Sequence, residues 1–128
     1  DLSNKKQNRW ERIIREAAEQ SGRGRLPELH RPMTLMNCLK AFVKAHTRIL
    51  VAWEESGSTR GPKLSSALEG SVESLALFVG PEGGFSNEEI QYFLDHDGEV
   101  VSLGERILRM ETAAIVFPAL VLHHFGEL

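Results

Sequence analysis

The sequence predicts an α/β fold with a mainly parallel sheet flanked by helices. Three observations carry that reading. Short apolar runs at Arg48 to Trp53, Leu75 to Val79 and Glu99 to Leu103 have strand length and end at polar or turn residues. Around them, apolar residues recur at three- and four-residue spacing, the period of a helix packed on one side. Strands and helices alternate along the chain, so the strands need crossover connections and pair in parallel. At 128 residues, read as one domain over 1–128, such a fold hides roughly two thirds of its unfolded surface without a disulfide staple.

Composition narrows the class further. With 41% hydrophobic and 26% charged residues the chain sits at the globular average, which argues against a disordered tail, a collagen-like fibre or a coiled coil. The longest apolar run, Ala113 to Leu122, is half the ~20 residues that a bilayer-spanning helix requires. The single cysteine, Cys38, closes no internal disulfide, and the opening stretch Asp1 to Trp10 lacks the apolar core of a secretory leader, so a cytoplasmic location is expected.

Each element has its own signal. Trp10, Ile13, Ile14, Ala17 and Ala18 predict a helix from about Lys5 to Ser21, packed on one side and stopped by Gly22 and Gly24. A turn around Pro27 and Pro32 leads to a second helix, about Thr34 to Ala45, with Leu35, Leu39, Phe42 and Val43 inward. The strand Arg48 to Trp53 is followed by a Gly- and Ser-containing loop from Glu54 to Lys63, then a short helix at Leu64 to Leu68. After the strand Leu75 to Val79 come the loop Gly80 to Gly84 and the pair Ser86 and Glu89, a capping box that starts a helix running to about His96. Asp97 and Gly98 turn into the third strand; Gly104 to Met110 form a loop, and Glu111 to Phe125 a final helix apolar on nearly every side. Pro118 within that helix is expected to kink it, and its all-round apolarity implies burial on more than one side, in part by a second subunit.

Two loops carry the chemistry. VGPEGGF follows a strand and precedes a capped helix, which brings backbone amides and a helix N-terminus to the carboxyl edge of the sheet, where open α/β folds bind ligands. It lacks the Gly-Lys-Ser/Thr of a phosphate-binding loop and the three-glycine spacing of the dinucleotide fingerprint, and a plain strand-to-helix turn reads equally well. The second loop, Leu103 to Thr112, sets Arg106, Arg109, Glu105, Glu111 and Thr112 beside apolar Ile107 and Leu108. Apolar side chains flanking a polar set suit a flat heteroaromatic ligand; the alternative is that Ile107 and Leu108 plug the core while Arg109 pairs with Glu111. The histidines show no metal-ligand spacing, and no metal site is expected.

Charge is unevenly spread. Residues 1–31 hold eight basic and five acidic residues, a balance of +3, while the remainder is −6. A basic N-terminal third on an acidic body hints at a polyanionic partner, although most such charge is a solvated helix face.

The two loops, LFVGPEGGFSNEEI and VSLGERILRMETAA, together with NRWERIIREAAEQSGRGRLPEL, resemble the RsmE family of ribosomal RNA uridine-N3 methyltransferases in the SPOUT class, over about Asn8 to Ala119. The resemblance implies a trefoil knot near the C-terminus, an exception to the rule against threaded loops, with S-adenosylmethionine held in it. It also implies a homodimer paired through the C-terminal helix and 16S ribosomal RNA of the small subunit as partner. Carried over by motif, Val79, Gly80, Pro81, Glu82, Gly83 and Gly84 form one cofactor loop, and Leu103, Gly104, Ile107, Leu108 and Thr112 belong to the other. Arg109 is expected to stabilise the uridine anion, and Glu111 to orient that arginine or relay the proton. Arg9, Arg12, Arg15, Arg23 and Arg25 are expected to contact RNA phosphates. Gln20 to Arg23 match the family's QSGR element; Glu105 and Met110 depart from the usual residues at positions that contribute backbone. The family's N-terminal barrel and the opening strand and helix of its methyltransferase domain have no counterpart here, so the chain reads as a truncated domain. Two other readings stand beside this one: a ribose 2′-O-methyltransferase of the same class, and a non-catalytic dimeric RNA-binding fragment.

Overall fold

The computed structural model describes residues 3–54, 62–104 and 108–128. Its contacts divide the chain into two compact units, Asp1–Thr34 and Leu35–Leu128.

The first unit holds one helix, α1 (Asn4–Gln20), whose end is closed by backbone bonds from Ser21 and Gly22, with Gly22 at φ +68°. Its apolar stripe is less covered than the periodicity predicts. Ala18 is buried and Ile14 half-buried, but Trp10 and Ile13 remain 41% and 48% exposed. A single helix followed by extended chain carries too little apolar surface to bury a whole stripe within its own unit.

The second unit is a three-layer α/β structure. Its elements are α2 (Leu35–Lys44), β1 (Arg48–Ala52), α3 (Leu64–Ala67), β2 (Leu75–Val79), α4 (Asn87–Asp95), β3 (Glu99–Val101) and α5 (Met110–His124). The strands form one sheet in the order β2-β1-β3, both pairs parallel, with Leu50 opposite Leu77 on one side and Glu99 on the other. The predicted parallel sheet flanked by helices is thus present.

Alternation along β1 divides the core. Leu50 points to one face, where Leu64, Leu68, Val101, Phe117 and Val121 pack; Ile49 and Val51 point to the other, with Leu39, Ala76, Ile90 and Phe93. Phe93 and Phe117 are completely buried, each contributing about 1.5–3 kcal/mol through removal from water. At the opposite edge from the strand carboxyl ends, the Arg48 guanidinium lies 3.2 Å from the Glu99 carboxylate and donates to the Glu69 carbonyl.

The predicted capping box on α4 is formed: the Glu89 amide donates to Ser86 Oγ at 3.1 Å and the Ser86 amide to Glu89 Oε2 at 2.9 Å. The final helix departs from expectation in its burial. It runs unbroken through Pro118, and only Ala113, Phe117 and Val121, one turn apart, are buried. Ile115, Leu120 and Leu122 on the remaining surface are 72%, 42% and 45% exposed; one sheet face covers only one side of a helix.

Candidate functional site: a cavity at the carboxyl edge of the sheet

Because the three strands are parallel, their carboxyl ends share one edge, and the residues that follow each strand meet there. Ala52, Trp53 and Glu54 follow β1; Val79 and the loop Gly80 to Phe85 follow β2; Leu103 and then Leu108 to Glu111 with Ala113 follow β3. Together they line a cavity of about 590 Å³, within the ~300–1,000 Å³ of small-molecule sites.

The first loop is shaped by its own chemistry. The Gly84 amide donates to the Pro81 carbonyl at 2.8 Å, closing a four-residue turn with Gly84 at φ +73°, a conformation that favours glycine. Gly80 is needed for a different reason. A Cβ there would stand 3.1 Å from the Phe85 ring, which folds back against it. Phe85 in turn stacks edge-on with Phe93 at 5.1 Å and accepts, through its carbonyl, a hydrogen bond from the Trp53 indole at 3.2 Å. The turn is therefore anchored to both the core and β1. Across it, the amides of Glu82 and Gly83 make no hydrogen bond with a described residue, and a Cβ on Gly83 would meet nothing within 4 Å. Glu82 and Gly83 thus offer donors that no described residue takes up, and Gly83 an open stretch of backbone, to whatever enters the cavity.

On the other side, Leu103 and Leu108 supply an apolar wall, and Arg109 and Glu111 a polar one. Arg109 and Glu111 do not pair with each other, and neither forms an ion pair with any described residue, so the alternative in which they neutralise one another is not what the fold adopts.

Of the residues singled out from sequence, Val79, Gly80, Pro81, Glu82, Gly83, Gly84, Leu103, Leu108, Arg109 and Glu111 all line this one cavity. Gly104 and Thr112 do not. Gly104, at φ +132°, exchanges hydrogen bonds with the Ser102 hydroxyl, and Thr112 is exposed in the first turn of α5. Ile107, with Glu105 and Arg106, lies outside the described residues. The sequence reading missed Ala52, Trp53, Glu54, Phe85, Met110 and Ala113. The last three lie in or beside the two loops; for Ala52, Trp53 and Glu54 the signal was topological, because a parallel sheet brings the end of its central strand between those loops.

The five arginines assigned to RNA, Arg9, Arg12, Arg15, Arg23 and Arg25, all belong to the first unit and are exposed. Arg12 lies 3.8 Å from Glu16 one turn along, and Glu19, two turns beyond Arg12, falls on the same side of α1, so the helix face is mixed in sign rather than purely basic.

A family model described as an RNA methyltransferase domain matches residues 1–122. The chain belongs to the RNA methyltransferase domain family. Among curated members, the ribosomal RNA small subunit methyltransferase E of Bacillus subtilis is 38% identical over 117 residues, which are 87% of this chain and 44% of that protein. Its counterpart from Synechocystis is 37% identical over 116 residues, 89% of this chain and 37% of the relative. This RNA methyltransferase domain thus spans about half the length, or less, of the relatives it matches. Among solved structures, the methyltransferase E of Neisseria gonorrhoeae bound to S-adenosylmethionine superposes with a TM-score of 0.79 at 29% identity, covering 91% of this chain and 46% of the other. A Legionella pneumophila protein in complex with the same cofactor gives 0.73 at 33% identity, covering 96% and 50%. The resemblance to the RsmE family drawn from the two loops is borne out.

Proposed function

We propose that residues 1–128 form a single methyltransferase domain that uses S-adenosylmethionine to methylate N3 of a uridine in 16S ribosomal RNA of the small subunit. The observation that carries this is the cavity at the carboxyl edge, built from both family loops, in a domain whose structural relatives hold that cofactor. Its residues fit the group. Leu103 and Leu108 would pack on the adenine, the free amides of Glu82 and Gly83 would donate to polar ligand atoms, and glycine at position 83 lets the ligand approach closely. Ile107 belongs to the same reading by its motif, and the cofactor supplies an electrophilic methyl group when bound.

The chain's own task is to prepare the nitrogen. N3 of neutral uracil bears a proton that must leave, and the charge then falls on the flanking carbonyl oxygens. Arg109, exposed at the cavity wall without a described counter-ion, offers paired donors to that charge, and Glu111, unpaired with it on the same wall, passes on the proton. Arg9, Arg12, Arg15, Arg23 and Arg25 contact phosphates without reading sequence. The exposed surface of α5, which carries Ile115 and Leu120, pairs two copies into a homodimer, and in the trefoil knot that the family resemblance implies, the second loop and α5 thread through an earlier loop. An enzyme of this substrate class works in the cytoplasm.

The deciding experiment is methylation of unmodified small ribosomal subunits, with the modified atom mapped by mass spectrometry. Methyl on uridine N3 is expected, from this chain or from a version extended at its N-terminus to the length of the relatives. Methyl on a ribose oxygen, or none from either version, overturns the assignment.

A further inference from the structure

The three strand ends around the cavity are not equivalent. With the order β2-β1-β3, the end of β1 lies between the two loops, and Trp53 and Glu54 stand there. Trp53 is accounted for by its bond to the Phe85 carbonyl. Glu54 is not accounted for. Its residue is half-buried and lines the cavity, yet it makes no hydrogen bond or ion pair with any described residue. The cavity's described lining holds three carboxylates, Glu54, Glu82 and Glu111, against one guanidinium, Arg109. A half-buried carboxylate at the cavity wall without a described partner, in a lining with an excess of negative charge, attracts a cationic ligand.

We infer that Glu54 is a specificity-determining residue that favours the charged sulfonium form of the cofactor over its neutral thioether product. The inference rests on the cofactor reading above. Substrate and product cofactors share their adenine, ribose and amino-acid groups, so the loop amides and apolar wall hold both alike. They differ in one methyl group and one positive charge, at the sulfur. A sulfonium has no N–H or O–H to donate, so a carboxylate senses it through its charge. The sulfur is also the middle of the molecule, joining adenosine to the amino acid, and a ligand that spans both loops carries its middle past the central strand. Glu82 and Glu111 are exposed and screened by solvent; Glu54, less exposed, acts through a lower effective dielectric. Once the methyl group has left, the sulfur is neutral and this attraction is gone, which favours product release.

The test is calorimetric titration of the wild-type chain and Glu54→Gln, an uncharged variant of the same shape, with three probes. These are S-adenosylmethionine, S-adenosylhomocysteine, and the cofactor analogue that carries a protonated amine in place of the methylsulfonium. The dissociation constants for the two cationic probes should rise about 3- to 10-fold in Glu54→Gln, with S-adenosylhomocysteine unchanged. Glu82→Gln should shift the same ratio less, and thermal melting confirms that both variants are folded. Equal weakening of all three probes, which would mean that Glu54 reads the shared amino-acid end, overturns the inference, as does an unchanged ratio. If the wild-type chain binds none of the three, the cofactor reading itself fails and this inference falls with it.

Discussion

Gly83 separates binding from folding more cleanly than any other residue of the cavity. Its neighbour Gly84 sits at φ +73°, and a Cβ on Gly80 would press on the Phe85 ring, so substitution at either strains the loop. At Gly83 an added Cβ meets nothing within 4 Å. Gly83→Val is therefore expected to leave the melting temperature within a few degrees of wild type while abolishing the heat of S-adenosylhomocysteine binding, because the branched side chain fills the path of the ligand. Retained binding would place the ligand elsewhere. Arg109 makes the opposite kind of prediction. It forms no ion pair with a described residue, so Arg109→Ala should cost little stability and leave cofactor affinity close to wild type. Methyl transfer, in contrast, should fall by about 10²-fold or more if its guanidinium stabilises the developing anion. Single-turnover transfer at saturating cofactor separates the two.

At the scale of elements, the connection from α4 to β3 is the most demanding on sequence. Asp97 takes φ +59°, and the Gly98 amide then donates to the Phe93 carbonyl at 2.7 Å, so close that a Cβ on Gly98 would fall 2.7 Å from that oxygen. Backbone cannot yield as a flexible side chain would. Gly98→Ala should destabilise the fold by about 1–3 kcal/mol, read as a lower urea midpoint with unchanged slope. Ser86→Ala, which opens the capping box of the same helix, should cost about 1 kcal/mol. A neutral result for Gly98→Ala would mean that the turn relaxes.

For the whole molecule, the exposed residues of α5 set the expectation. Ile115 is 72% exposed and Leu120 42%, on a helix whose inner residues Phe117 and Val121 already fill the sheet face. Light scattering at tens of micromolar should give twice the chain mass, and Ile115→Glu with Leu120→Glu should give the monomer without unfolding it. A monomeric wild type would refute the dimer. RNA affinity should fall steeply with salt, and Arg12→Glu with Arg15→Glu should lower it at low salt; no change would make those residues solvated surface only. In the described fold, no helix is long and apolar enough to cross a membrane.

Local patterns were sufficient wherever a residue's neighbours in sequence decide its conformation. The apolar runs became β1, β2 and β3, Ser86 and Glu89 became a capping box, and the two loops that follow β2 and β3 line the cavity together. Burial was less legible, because it depends on what stands opposite. The stripe of α1 kept Trp10 and Ile13 exposed, and α5, apolar all round, buried one side only. Glu54 shows the limit most clearly. In sequence it is the first polar residue after a buried strand, indistinguishable from the start of an ordinary loop. Only the order β2-β1-β3, set by long-range backbone pairing, brings it between two loops that lie 26 and 49 residues further along the chain. The sequence by itself determined which segments become strand, helix and ligand loop, through periodicity, turn chemistry and caps; the tertiary structure alone decided which of them meet, because parallel pairing joins residues distant in the chain through hydrogen bonds that carry no local signature.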